Sequence, residues 1–129
     1  MEGIDVNAPG TTQLLMGNEA IVRGALEGGV GFSAQYPGTP SSEVLSVIAS
    51  VAKNMRIHTE WSVNEMVAAE AAAGASFAGI PALSAMKQNG VNVISDFLVN
   101  VIMTGIGSGG LVLVTGDDPS AISSSNEED

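Results

Sequence analysis

The 129-residue sequence predicts an α/β domain, a parallel sheet flanked by helices. Short apolar runs alternate with helix-length amphipathic or Ala-rich segments in the order αβαβαβαβ, the pattern of parallel strands joined by crossover helices. The run Leu111–Thr115 (LVLVT) has the continuous apolar character of a strand covered on both faces. Glycine and proline punctuate the boundaries, at Gly28-Gly29, Pro37-Gly38-Thr39-Pro40 and Gly79 to Pro81.

Residues 1–13 read as an irregular lead-in, and residues 14–129 as a single α/β domain. Asn18 is placed to cap a first helix running to about Glu27 and closed by Gly28-Gly29. Val30 to Tyr36 follows as a strand. Ser41 or Ser42 then caps a second helix, with Val44, Leu45, Ile48 and Val51 on one stripe. Arg56 to Glu60 reads as a short strand.

The segment from Ser62 to Gly79 is Ala-rich, and after Glu65 only Glu70 and Ser76 interrupt its apolar character. If helical, it has no wet face and is buried nearly all round. Ala82 to Met86 is strand-like, Gln88-Asn89-Gly90 a loop, and Val91 to about Thr104 a helix before LVLVT. The polar end, DDPSAISSSNEED, reads by composition alone as an acidic tail.

Open α/β sheets bind ligands in the crevice outside the carboxyl ends of their strands. Four loops fall at that edge: Pro37–Pro40, Glu60–Ser62, Lys87–Gly90 and Gly116–Pro119. Any site is expected to be built from them.

Composition excludes several function classes. The formal net charge is −10 with four Lys+Arg in the chain, so the clustered cations that phosphate backbones or anionic membranes require are missing. Cysteine is absent, which removes disulfides, thiolate zinc and iron–sulfur ligation from this chain. Neither a signal peptide nor a membrane span is legible, so a cytoplasmic protein is expected. Three Phe, one Tyr and one Trp leave the core to small aliphatic residues. With a mean hydropathy of +0.30, such a chain is expected to bury surface against another copy or another subunit.

Single motifs carry less. Gly105, Gly107 and Gly110 match G-x-G-x-x-G, but they follow a helix and precede a strand. A dinucleotide site needs the reverse order, so they read as a helix stop and turn. His58, the only histidine, reads as an ordinary strand residue, and Trp61 as a packing residue. Glu65 has two readings. Ser62-Val63-Asn64-Glu65 has the spacing of a capping box, and the same carboxyl stands at a strand's carboxyl end, aimed at the crevice.

Further patterns bear on that choice. Glu65-x8-Gly74, with Ala68-Ala69 and Ala71-Ala72 between, resembles the glutamate helix of pyrimidine-binding domains in thiamine diphosphate enzymes. Tyr36-Pro37-Gly38-Thr39-Pro40-Ser41-Ser42-Glu43 resembles the substrate loop of 2-oxoacid:ferredoxin oxidoreductases. The stretches GNEAIVRGALEGGVG, YPGTPSSE, EWSVNE, Met86-Lys87 and DDPS with Ser123–Glu127 are together similar to the α subunit of the indolepyruvate branch, collinearly from about Leu14.

The resemblance implies a thiamin-diphosphate-binding fold, here the half that holds the aminopyrimidine. It implies that Glu65 hydrogen-bonds a pyrimidine nitrogen and favours the imino tautomer, which takes the proton from thiazolium C2. By position, Thr39 is the candidate for binding the 2-oxoacid carboxylate. Lys87, at a strand end on the same edge, is a candidate to pair with that carboxylate or else a solvated lysine.

The sequence also departs from the family. Gly116-Asp117-Asp118 lacks the glycine at the third position of the GDG motif that holds diphosphate and Mg²⁺. The family's α subunit is several times longer, and its resemblance breaks off within a motif at Glu127-Glu128-Asp129, which makes the domain look truncated and the tail a cut motif. The expectation is a pyrimidine-binding part of a 2-oxoacid oxidoreductase that needs another chain for Mg²⁺, diphosphate and iron–sulfur clusters, reaching ferredoxin through it. The alternatives are a non-catalytic assembly module and a subunit of a two-subunit oxoacid decarboxylase.

Overall fold

The computed structural model describes residues 3–117; the Asp118–Asp129 segment, with the DDPS motif after Asp117, the acidic tail and the end of the Gly116–Pro119 loop, lies outside them. Nine elements follow in order: α1 (Gly17–Glu27), β1 (Phe32–Gln35), α2 (Ser42–Met55), β2 (His58–Trp61), α3 (Glu65–Phe77), β3 (Ala82–Lys87), α4 (Asn89–Val93), α5 (Ser95–Thr104) and β4 (Leu111–Gly116). Among the described residues the strands form one sheet, ordered β2-β1-β3-β4 and parallel at every pairing. The α/β class and the parallel sheet are as the sequence predicts.

Strand order dictates the layers. The chain moves outward from β1 to β2, then crosses back over β1 to β3 and on to β4. Right-handed crossovers therefore put α2 on one face and α3, α4 and α5 on the other. On the first face Val44, Val47, Ile48, Val51 and Ala52 of α2 pack with Val22, Leu83 and Ala85. On the second, Ala69 of α3 meets Met86 and Ile94, with Phe97, Leu98 and Leu113 against them. The direction reverses between β1 and β3, so the loops leaving those two strands diverge there, which is where open sheets place ligands.

Several boundaries differ from expectation, each for a local reason. Asn18 lies inside α1, not at its cap; Met16 is the cap residue, its N–H donating to Glu19 at 2.9 Å. Gln88-Asn89-Gly90 is not an open loop, because α4 begins at Asn89 and a short break precedes α5. The Ala-rich helix is buried along Ala68, Ala69, Ala72, Ala73 and Ser76 only, and leaves Val67 and Phe77 exposed. Among the described residues LVLVT is an edge strand, with Val112 56% exposed rather than covered. Trp61 is 49% exposed and so is not a packing residue within the described chain. The lead-in is docked: Ile4 is buried in the core, and Arg23 Nη1 donates to the Ile4 and Val6 carbonyls at 3.0 and 2.8 Å.

Candidate functional site

The carboxyl edge of the sheet collects the loops after β1, β2 and β3, and with them Thr39, Glu65 and Lys87. Each is placed by its own local chemistry.

Glu65 is the first residue of α3, half-buried, and it is not part of a capping box. Asn64 is the cap: its Oδ1 accepts from Val67 N at 2.9 Å. The reason lies one strand away. Ser62 N–H donates to the Gln35 carbonyl at 2.9 Å, which prolongs the β1–β2 ladder and keeps the chain extended through Ser62. The helix starts later, Asn64 takes the capping role, and the buried Ser62 Oγ finds no partner. Glu65 is thereby released from capping. Among the described residues its carboxylate makes no hydrogen bond or ion pair, and it stands at the amino end of α3, where the helix dipole favours negative charge.

Gly90 makes room for it. A Cβ at Gly90 would lie 2.8 Å from Glu65 Cγ and 3.0 Å from Met86 Cβ. The Glu65 side chain thus lies over a bare stretch of α4, with Met86 fixed beneath in the core. Gly90 and Asn64 were not singled out by sequence reasoning; the glycine sits in a Q-N-G run that reads as a turn.

Thr39 is exposed at the tip of the loop after β1, and the Thr39–Pro40 peptide is cis. The loop is tied down on every side of Thr39. Ser41 donates from its N–H and its Oγ to the Gly38 carbonyl, at 2.9 and 3.0 Å, and Gly38 N–H donates to Ser42 Oγ at 2.9 Å. Asn18 Nδ2 donates to the Pro40 carbonyl at 2.8 Å and to Glu43 at 3.0 Å. No such bond engages the Thr39 hydroxyl among the described residues.

Lys87 ends β3, half-buried. A Cβ at Gly38 would stand 2.9 Å from Lys87 Cβ, so the loop carrying Thr39 rests directly on the lysine. Two contacts, Gly38 on Lys87 and Glu65 on Gly90, therefore join the three side chains' segments into one edge at the point where strand order reverses.

His58 and the glycines Gly105, Gly107 and Gly110 lie away from this edge. His58 stacks on Phe32, with ring centroids 5.1 Å apart, and meets Glu60 at 3.2 Å on the exposed edge strand. Gly105 stops α5, and Gly107 and Gly110 turn with φ of +74° and +95°. An apolar groove of about 540 Å³ opens between α1 and the amino ends of β3 and β4, opposite the edge just described.

The arrangement offers polar groups to a ring-shaped ligand. An unbonded carboxylate over a glycine shelf, with an unpartnered buried hydroxyl at Ser62 nearby in sequence, suits a flat ring with nitrogen donors and acceptors. For a metal the donor set is thin: among the described residues no three His, Asp or Glu side chains are grouped to hold one. Among the same residues, no helix is long and apolar enough to cross a membrane.

Comparison with known proteins agrees with the fold. Residues 23–107 match the family described as pyruvate flavodoxin/ferredoxin oxidoreductase, thiamine diphosphate-binding. The chain is 54% identical over 121 residues to the indolepyruvate oxidoreductase subunit IorA of Pyrococcus horikoshii, covering 94% of this chain and 18% of the relative. It is 36% identical over 84 residues to the 2-oxoglutarate synthase subunit KorA of Archaeoglobus fulgidus, covering 65% of this chain and 24% of that protein. The 2-oxoglutarate:ferredoxin oxidoreductase of Magnetococcus marinus, solved with 2-oxoglutarate, coenzyme A and succinyl-CoA bound, superposes with a TM-score of 0.72 at 27% identity, covering 82% of this chain and 18% of that one. The chain thus spans about one fifth of the length of the indolepyruvate oxidoreductase subunits it matches. By the family match, it belongs to the thiamine-diphosphate-binding family of pyruvate flavodoxin/ferredoxin oxidoreductases.

Proposed function

We propose that this chain is the pyrimidine-binding part of a thiamine-diphosphate-dependent oxidoreductase that acts on a 2-oxoacid, an aryl pyruvate of the indolepyruvate type, and delivers electrons to ferredoxin. One observation carries the reading: the Glu65 carboxylate is freed from capping by Asn64 and left without a partner over Gly90. A carboxyl kept half-buried beside an apolar helix face, with no internal partner, suits exchange of a proton with a ring nitrogen.

Bound thiamine diphosphate supplies the carbanion chemistry on the oxoacid. The residues of this chain do the rest of the local work. Glu65 hydrogen-bonds a pyrimidine nitrogen and holds the proton that sets the ring's tautomer. Thr39 offers its hydroxyl to the oxoacid carboxylate from the anchored loop, and Lys87 brings a positive charge to the same carboxylate. The Ala68, Ala69 and Ala72 wall of α3 keeps water from the inner side of the edge.

Diphosphate, Mg²⁺ and the electron-transfer clusters are assigned outside these 129 residues, because they carry no cysteine and only four Lys+Arg. The names and lengths of the relatives support a multi-subunit setting. The test is reconstitution with the polypeptide bearing the diphosphate-binding half. Oxoacid-dependent ferredoxin reduction is expected to appear on mixing, and to fall about 100-fold or more in Glu65→Gln. Full activity in that variant would overturn the relay role; no turnover on mixing would overturn the reading as a whole.

A further inference from the structure

Gln35, the last residue of β1, is fully buried, and its polar groups reach two of the three loops that build the site, those after β1 and β2. Its carbonyl accepts from Ser62 N at 2.9 Å, on the way to Glu65. Its side-chain Nε2 donates to the Ser41 carbonyl at 2.8 Å, and Leu45 N donates to its Oε1 at 3.1 Å.

The last two bonds have a specific geometry. Ser41 is the cap residue of α2, and Leu45 lies four residues on. An uninterrupted α-helix would join that N–H to that C=O directly. Both α1 and α3 do so, Ala20 N to Met16 O at 2.9 Å and Ala68 N to Asn64 O at 3.2 Å. In α2 the Gln35 amide is inserted into that bond, one end in each partner. A primary amide is suited to this role, since it offers a donor and an acceptor side by side.

We propose that Gln35 is the positioning residue for the substrate side of the site. The Ser41 carbonyl also accepts from Val44 N at 3.1 Å, so the first turn is closed one residue early and Gln35 takes up Leu45 N–H; this fixes Ser41, and through the Ser41–Gly38 bonds it fixes where Thr39 stands relative to Lys87. Asn18 tethers the same loop from α1 through the Pro40 carbonyl. The inference rests on the functional reading above for its effect on substrate, and on geometry alone for its effect on the loop.

Substitution separates the two loops. Gln35→Met removes the amide and keeps the backbone carbonyl that holds Ser62, so the Glu65 side is left in place. The Ser41 carbonyl keeps its bond from Val44 N while Leu45 N–H loses its acceptor, so α2 is preserved and its first turn and the loop loosen. In the reconstituted complex, Gln35→Met is expected to raise KM for the oxoacid about tenfold or more. Its kcat and its thiamine diphosphate requirement should stay within about twofold. Asn18→Ala, at a half-exposed position, should raise KM in the same direction by a smaller factor.

Hydrogen exchange on the chain alone gives a readout independent of turnover. Amides of 38–45 should exchange faster in Gln35→Met while those of 66–77 remain as in the parent. An active parent with unchanged KM in a folded Gln35→Met overturns the proposal; if Gln35→Met does not fold, unchanged KM in Asn18→Ala overturns it. Unchanged exchange over 38–45 overturns it whatever the activity. A parent complex that turns over no oxoacid tells against the functional reading, and the exchange measurement still decides the bracing.

Discussion

Glu65 lies over Gly90, with its Cγ 2.8 Å from where a Cβ on the glycine would stand. The same added atom would come within 3.0 Å of Met86 Cβ, which is fixed in the core. Of the two neighbours, only Glu65 can turn away, being half-buried at a helix start. Gly90→Ala is therefore expected to displace the carboxylate rather than unfold the domain. Alanine returns up to about 1 kcal/mol of helix propensity in α4, against a crowding cost of about 1–3 kcal/mol. A melting curve should move little while reconstituted activity falls about tenfold to a hundredfold. Parent-level activity would show that the shelf does not aim Glu65.

The cap next to Glu65 can be tested on its own. Asn64 Oδ1 accepts from Val67 N at 2.9 Å, and Ala at that position leaves the N–H without a side-chain acceptor. Asn64→Ala should cost about 1 kcal/mol in urea unfolding, and Asn64→Asp should retain most of it. If Glu65 took over the cap, Asn64→Ala would be neutral and Glu65→Gln in that background would not.

The sequence conveys the sheet well and the start of α3 poorly, for physical reasons. Gly and Pro bound β1, β3 and β4, and small or apolar residues such as Ala34, Leu83, Ala85 and Leu113 mark where helices pack against them. The capping box at Ser62–Glu65 failed because Ser62 N–H is bonded to Gln35 O, a contact between strands far apart in sequence. Gly90 reads as a helix breaker, yet packing against Glu65 and Met86 puts it inside α4, a tertiary override of propensity. Thr39, Glu65 and Lys87 could be placed at the carboxyl edge because that edge follows from strand order. A lone glutamine ending a strand carries no pattern, so Gln35 was legible only once the bonds of α2 could be counted.

Away from the site, Arg56 closes α2 with φ +58°, in the left-handed region and exposed to solvent. A non-glycine residue there costs about 1–2 kcal/mol, and glycine gives back about 0.5–1 kcal/mol in unfolded-chain entropy. Arg56→Gly should thus stabilise the domain by about 0.5–1 kcal/mol, raising the melting temperature by about 2–4 °C. Reconstituted activity should not change, since Arg56 precedes β2 at the opposite edge from Glu65.

The glycines that mimic a dinucleotide fingerprint have a structural duty that can be measured, and their neighbour Gly109 bears most of it. A Cβ at Gly109 would overlap the Ile80 carbonyl oxygen and lie 2.7 Å from Ile80 C and N. Neither backbone can retreat. Ile80 N donates to Ala75 O and Gly109 N to Ser76 O, both at 3.0 Å, and Ser76 Oγ donates to Ile106 O while accepting from Gly110 N. Gly105 differs: it has φ +79° but open space around the missing Cβ. Gly105→Ala should therefore cost only a backbone penalty of about 1–3 kcal/mol, since φ +79° with ψ 178° is a region open essentially to glycine. Gly109→Ala should cost more than Gly105→Ala, because a steric clash with fixed backbone adds to lost bonds. Urea midpoints of the two variants decide it: equal losses would mean that the α3–β3 turn yields, and that Ser76 does not hold it against the turn before β4.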